Sequence, residues 1–252
     1  MKEITSVKNK TVCEVKKLKQ KKYRSQTGTF LAEGYRNVCD SMKKAVPQMV
    51  FLEEHFELSV PECENVYLVT KEVMRELSDT DTPQGIAAVF CIPKEKEITS
   101  KKILLLNGVS DPGNMGTILR TALASGFSDI ILDEQCADVY SPKVIRSAMS
   151  AVFSLNLIRK KTLEETVMWL KEKGYLVGAA ALTQHAVSLY ETEFPEKTAL
   201  LFGSEANGIT EELLALSDVT YIIPMATEIE SLNVAVAAGV SMYELWRRAN
   251  EK

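Results

Sequence analysis

The sequence predicts an α/β protein of two domains, the second built on a mainly parallel sheet covered by helices on both faces. Three observations carry that expectation. The 252 residues exceed one average domain. A polar stretch from Cys91 to Lys102, CIPKEKEITSKK, separates two apolar runs and reads as a linker. Beyond it, apolar runs of strand length alternate with turns and helical patterns, the rhythm of parallel sheets. The expected domains are 1–95 and 102–252.

Before the linker, Arg36–Lys44, Met49–Leu52, Val66–Val69 and Ile86–Cys91 alternate between helical and strand-like patterns, as in a small α/β domain. After it, Ile103–Asn107 reads as a buried strand and Asp111-Pro112-Gly113 as a tight turn. A helix over Met115–Ser125 follows, with Asn114 placed to cap it. Further strands are expected at Asp129–Leu132, Ser154–Ile158, Tyr175–Ala181, Thr198–Phe202 and Val219–Ile223. The last helix, Asn233–Arg248, is apolar almost all round in its first half, so burial on more than one side is expected. Its small alanines suit a core position or a subunit interface.

Composition narrows the classes. Apolar residues make up 46% and charged residues 25%, so a sizeable core needs neither disulfides nor metal. The five cysteines (Cys13, Cys39, Cys63, Cys91, Cys136) are widely spaced and fit reduced thiols. The polar, basic N-terminus shows no signal peptide, and Val234–Val240 is too short to span a bilayer. A soluble, cytoplasmic protein with no membrane role is expected. Residues 1–30 hold nine Lys/Arg (Lys2, Lys8, Lys10, Lys16, Lys17, Lys19, Lys21, Lys22, Arg24) against Glu3 and Glu14, a local +7 on a chain of net charge −4. A basic arm on an acidic body is the footprint of a nucleic-acid binder, with a solvated lysine-rich helix face as the plainer reading.

Three segments stand in strand–turn–helix contexts. Asp111–Arg120 (DPGNMGTILR) follows the first strand after the linker, and its Arg120 lies on the helix flank away from Ile118, Leu119 and Ala122. Taken alone, Arg120 reads as an exposed, solvated arginine. Leu201–Gly208 (LFGSEANG) leaves a strand with two glycines around polar residues, as a loop needing positive φ or close ligand approach would. Ile223-Pro224-Met225 and then Ser231-Leu232-Asn233 open the final helix, where Ser231 or Asn233 suits a cap. All three lie at the carboxyl ends of parallel strands, where open α/β sheets bind ligands. No G-x-G-x-x-G and no P-loop occurs, and the two histidines, His55 and His185, are isolated. Dinucleotide, triphosphate, zinc and Ser-His-Asp sites therefore lack their parts, and no metal is expected.

Together the three segments resemble the signature motifs of the SpoU/TrmH family of RNA ribose 2′-O-methyltransferases, in the SPOUT superfamily. The N-terminal half is similar to that family's substrate-binding domain through Ile4–Asn9 (ITSVKN), Phe30–Gly34 (FLAEG) and Pro83–Gly85 (PQG). The resemblance implies an L30e-like α/β domain followed by a parallel-sheet domain with a C-terminal trefoil knot. It implies methyl transfer from S-adenosylmethionine to a ribose 2′-hydroxyl of RNA, and a homodimer. By position it assigns Gly203, Ile223 and Leu232, with neighbouring Phe202 and Met225, to the cofactor. Arg120 matches the arginine proposed to act on the 2′-hydroxyl, and Asn114, Glu205, Ser231 and Asn233 the polar residues around it. Because a guanidinium normally stays protonated, a phosphate clamp is physically easier than a base. Lys8, Lys16, Lys17, Lys21, Lys22 and Arg24 are the candidate RNA contacts. Ribosomal 23S RNA is the expected substrate, with tRNA, or a non-catalytic RNA-binding protein of the same fold, as alternatives. Ser150 and Ala206 stand where the family pattern usually has glycine.

Overall fold

The computed structural model describes residues 2–56, 59, 63–226 and 231–251. Two compact units emerge: Met1–Lys94 with Asp138–Ser154, and Glu95–Ala137 with Leu155–Lys252. In chain order the first runs through β1 (Lys2–Ile4), α1 (Lys10–Lys17), α2 (Lys21–Thr27), β2 (Thr29–Glu33), α3 (Tyr35–Met42), β3 (Met49–Glu53), β4 (Val66–Val69), α4 (Lys71–Leu77) and β5 (Ile86–Cys91). The chain continues as β6 (Lys102–Leu106), α5 (Pro112–Ala124), β7 (Asp129–Leu132), α6 (Pro142–Ala148) and a 3-10 turn, Met149–Phe153. Then come β8 (Asn156–Arg159), α7 (Glu164–Glu172), β9 (Leu176–Ala180), β10 (Val187–Ser188), β11 (Thr198–Phe202), α8 (Glu211–Leu216), β12 (Val219–Ile222) and α9 (Val234–Asn250).

The first unit is a five-stranded mixed sheet, β1-β4-β3-β5-β2, with β5 antiparallel to both neighbours. Helix α1 is capped by Asn9, whose side chain accepts from Thr11 N at 2.9 Å. Val12, Val15 and Leu18, three residues apart, form its buried stripe. Strand β2 is at an edge yet wholly buried, because α3 and α6 pack on it. Phe30 lies 5.2 Å from Tyr140 and 5.6 Å from Phe153, ring centre to ring centre. Arg146 pairs with Glu33 at 2.5 Å, and buried Arg24 pairs with Asp138. These contacts assign Asp138–Ser154 to the first unit, although sequence order puts it between strands of the second. At Met149 the backbone takes φ 56°, costly for a residue with a Cβ, one position before Ser150.

The second unit is a seven-stranded sheet, β10-β12-β9-β11-β6-β7-β8, every pair parallel. Ile103, Leu105, Ile131, Val177, Ala199 and Leu201 form a core with Val167 and Leu170 of α7, Leu163 just before it, and Leu213 of α8. The alternate residues Leu104, Leu106, Leu200 and Phe202 are buried on the opposite face, where α5 and α9 pack together. From β6 the next strand in sequence lies on one side and β11 on the other. That is a topological switch point, whose carboxyl-end crevice is where ligands bind.

Two expectations are corrected, and the linker gains detail. Helix α5 begins at Pro112 because Asp111 Oδ1 accepts from Asn114 N at 2.8 Å, so Asp111 is the cap and Asn114 lies within the first turn. The linker is partly docked: Asn156 pairs its amide with both backbone groups of Lys96 (2.8 and 3.0 Å), and Thr99 N and Ser100 N donate to Asp129 Oδ2 at 3.1 and 2.7 Å. Helix α9 buries Val234, Ala235 and Ala238 but leaves Val236, Tyr243 and Trp246 about half exposed, so one apolar side stays open in the single chain. The five cysteines are free thiols. Among the described residues, no helix is long and apolar enough to cross a membrane.

Candidate active site

Three loops leave the carboxyl edge of the large sheet where the motifs stand: 107–111 after β6, 203–210 after β11 and 223–233 after β12, whose residues 227–230 lie outside the described residues. Their polar side chains converge on one carboxylate oxygen. Asn114 Nδ2 donates to Glu205 Oε1, and Asn233 Nδ2 donates to the same oxygen at 3.0 Å and to Asn114 Oδ1 at 3.0 Å. Asn233 Oδ1 meanwhile caps α9, accepting from Ala235 N at 3.0 Å and Val236 N at 3.3 Å. The cap fixes which end of the amide faces the cluster. Glu205 and Asn233 are exposed and Asn114 half-buried, so lone pairs of the carboxylate are open to a substrate.

The loop carrying Glu205 is closed by a two-way backbone pair, Ser204 N to Gly208 O at 3.1 Å and Gly208 N to Ser204 O at 2.9 Å. Ser204 Oγ accepts from Asn207 N at 3.1 Å. A Cβ at Gly203 would sit 2.1 Å from both C and O of Gly208, so glycine is required by the loop's own backbone. Gly208 supplies φ 66° with open space around it.

Arg120 is exposed on α5 and makes no hydrogen bond or ion pair among the described residues. Ser231 is exposed, Leu232 and Ile223 are half-buried, and Met225 is exposed. Phe202 is different: its ring is buried in the core, which leaves only its backbone for a ligand. One residue on this edge escaped the sequence reading. Leu182 is 79% exposed on the loop after β9, the strand between β11 and β12, so it lies between two motif loops. An apolar residue after a strand reads as core in the sequence, and only its exposure in the structure marks it. Among the described residues, no cluster of His, Cys, Asp or Glu could hold a metal ion.

The basic segment separates into spent and free charges. Arg24 is 4% exposed, pairs with Asp138 and donates to Leu18 O at 2.6 Å, so as an RNA contact it is corrected to a structural residue. Lys16 pairs with Glu76, which raises its pKa. Lys19 donates to Ser78 O, and burial lowers its pKa. Lys8, Lys17, Lys21 and Lys22 are exposed, with the ammonium groups of Lys17 and Lys22 5.6 and 5.9 Å from the Tyr23 ring centre.

A parallel α/β sheet with a polar cluster and a glycine loop at its switch point defines an enzyme that binds a small cofactor and works on an external substrate. Residues 101–243 match the SpoU rRNA methylase family and residues 9–88 the MRM3-like substrate-binding domain, so the chain belongs to the SpoU rRNA methylase family. It is a methyltransferase that uses S-adenosylmethionine to modify RNA ribose 2′-hydroxyls. It is similar to the 23S rRNA (guanosine(2553)-2′-O)-methyltransferase RlmP of Bacillus subtilis, at 36% identity over 97% of this chain and 99% of the relative. A TrmH-family structure from Porphyromonas gingivalis superposes with TM-score 0.86 at 32% identity, over 97% of this chain and all of that one. The AdoMet-bound rRNA methyltransferase of Sinorhizobium meliloti gives TM-score 0.84 at 30% identity, over all of this chain and 99% of that one.

Proposed function

We propose that the chain methylates a 2′-hydroxyl of 23S ribosomal RNA at the Asn114–Glu205–Asn233 cluster. The observation that carries this reading is the meeting of three distant motif residues at Glu205 Oε1. The cofactor supplies a sulfonium-activated methyl group, so the chain's work is binding, alignment and electrostatics. Gly203, Ile223, Leu232 and Met225, with the backbone of Phe202 and the side chain of Leu182, hold the cofactor. The chain would hold the 2′-hydroxyl in line with the methyl donor and let its proton leave to solvent or a nearby acceptor. Arg120 acts as a clamp on an RNA phosphate that also stabilises developing negative charge on the 2′-oxygen. Asn114, Glu205, Ser231 and Asn233 fix the ribose.

The domain at 1–95, with 138–154 packed in its unit, binds RNA, with Lys8, Lys17, Lys21 and Lys22 on phosphates, and the rest of 102–252 is the methyltransferase domain. Lys16, paired with Glu76, is the weaker phosphate ligand. The open face of α9 (Val236, Tyr243, Trp246) is the homodimer contact. The C-terminal segment forms the trefoil knot that the family resemblance implies, with the Asn233–Glu205 bond in support. The protein works in the cytoplasm. The test is transfer of labelled methyl to 23S rRNA and to total tRNA, with 2′-O-methyl sites mapped. A single labelled ribose in 23S rRNA is expected, and labelling of tRNA alone overturns the substrate.

A further inference from the structure

Behind the exposed cluster lies a buried amide. Asn107 follows β6, and its polar groups reach two other loops. Its backbone N–H donates to Phe202 O at 2.9 Å, at the entrance of the 203–210 loop. Its side-chain Oδ1 accepts from Thr210 N at 3.0 Å, at that loop's exit. Its Nδ2 donates to Asp133 Oδ2 at 2.7 Å, at the end of β7. Asp133 is itself buried and saturated, accepting from Gly108 N at 2.9 Å and from Gln135 N and Cys136 N at 3.0 Å each. Arg159 fixes the Asp133 loop from beneath, donating to the carbonyls of Asp133 (2.9 Å), Cys136 (3.1 Å) and Ala137 (2.8 Å). The Asn107 amide has one workable orientation: its oxygen faces a group that only donates, its nitrogen one that only accepts.

We propose that Asn107, oriented by Asp133, is a positioning residue for methyl transfer, setting where the 203–208 loop presents its backbone to the cofactor and Glu205 to the two asparagines. This rests on the assignment of that loop to the cofactor. The loop is short and closed on itself, so its two anchors govern where it sits as a body. A misplacement of about 1 Å at a reacting site costs about a hundredfold in rate.

Asn107→Leu removes both side-chain bonds, but it also strands buried partners and lowers stability. The deciding pair is therefore Asn107→Asp against the double variant Asn107→Asp/Asp133→Asn. In the single variant two carboxylates face each other and the hold on the loop fails. In the double variant the new amide at 133 donates to the new carboxylate at 107, whose other oxygen still accepts from Thr210, while Gly108 N, which shares Asp133 Oδ2 with Asn107, loses its acceptor. Titration calorimetry with S-adenosylmethionine on the full chain is expected to show affinity about tenfold or more weaker in the single variant and partly recovered in the double, which keeps the Thr210 bond but not that of Gly108. Turnover at saturating cofactor is expected to follow the same order. Wild-type affinity and turnover in a folded Asn107→Asp overturn the positioning role. A change in melting temperature alone, with affinity and turnover of the folded protein unmoved, overturns it too. Hydrogen exchange of the wild type separates the premise: if S-adenosylmethionine leaves residues 203–208 unprotected, the cofactor assignment falls and this proposal with it.

Discussion

At the carboxyl edge of the seven-stranded sheet, side chains from segments 91 and 119 residues apart are bonded to one another. Along α1 and α2, positive charges only a few residues apart meet separate fates, Arg24 buried on Asp138, Lys16 on Glu76, Lys17 and Lys22 in solvent. The first region is made by topology, because parallel strands deliver their loops to one edge whatever their distance in the chain. The second is made by local helix phase, because a residue's face decides whether its charge meets a carboxylate or water. Function in the one depends on geometry, in the other on how much charge is left free.

The largest effect separating the two is expected at Gly203. Gly203→Ala drives a Cβ into the Gly208 backbone, and S-adenosylmethionine affinity should fall by about a hundredfold or more, roughly 2.7 kcal/mol. Gly208→Ala has open space and suffers only the backbone cost of about 1–2 kcal/mol, so calorimetry should find its affinity changed far less. Equal effects would mean the loop's closure is irrelevant to the cofactor.

Within the basic segment the same contrast is one of stability. Arg24→Gln leaves Asp138 without its partner and is expected to lower unfolding free energy by about 3 kcal/mol, seen as a lower urea midpoint. Lys17→Gln/Lys21→Gln/Lys22→Gln should move it by less than about 0.5 kcal/mol. That triple variant should instead flatten the log–log salt dependence of RNA affinity by about two units, at roughly 0.7 to 0.9 per phosphate contact. An unchanged slope in the folded variant would reduce these lysines to a solvated face.

The smallest effect concerns the far end of α9, whose first residues frame the site. Hydrogen bonds from Arg247, and then from Arg248, hold the Glu244 carboxyl down to about 2 from an ordinary 4.5. Arg248 in turn grips the carbonyls of Thr192, Leu189 and Tyr190 at 2.5, 2.9 and 2.8 Å. A depressed carboxylate stabilises the fold fully above its unfolded pKa and loses that contribution as pH falls toward the folded value. Melting temperature should therefore drop more steeply from pH 4.5 to 2 in the wild type than in Glu244→Gln.

Much of this was legible in the residues. The runs Asp129–Leu132 and Thr198–Phe202 are strands with the expected limits, since an apolar run bounded by turn residues has little else to be. The glutamate and asparagines named from the strand-end motifs, Glu205, Asn114 and Asn233, do meet in the structure. What stayed hidden depends on partners distant in the chain. Nothing local says that Asp138–Ser154 packs with Phe30 and Glu33, or that Arg24 is spent on Asp138. The cap moved from Asn114 to Asp111 because Pro112 starts a helix as readily as it makes a turn. Leu182 was invisible for the opposite reason: an apolar residue after a strand looks like core until its exposure is seen.

The central claim is that the Asn114–Glu205–Asn233 edge is where RNA is methylated, and Arg120 tests it most directly. Exposed and without a partner among the described residues, Arg120 has no bond in the fold to lose. The measurement is single-turnover methyl transfer to 23S rRNA by Arg120→Ala at saturating S-adenosylmethionine. A fall of about a hundredfold to a thousandfold is expected, with cofactor affinity and melting temperature unchanged. Wild-type turnover in that variant would contradict the account and move the chemistry away from this edge.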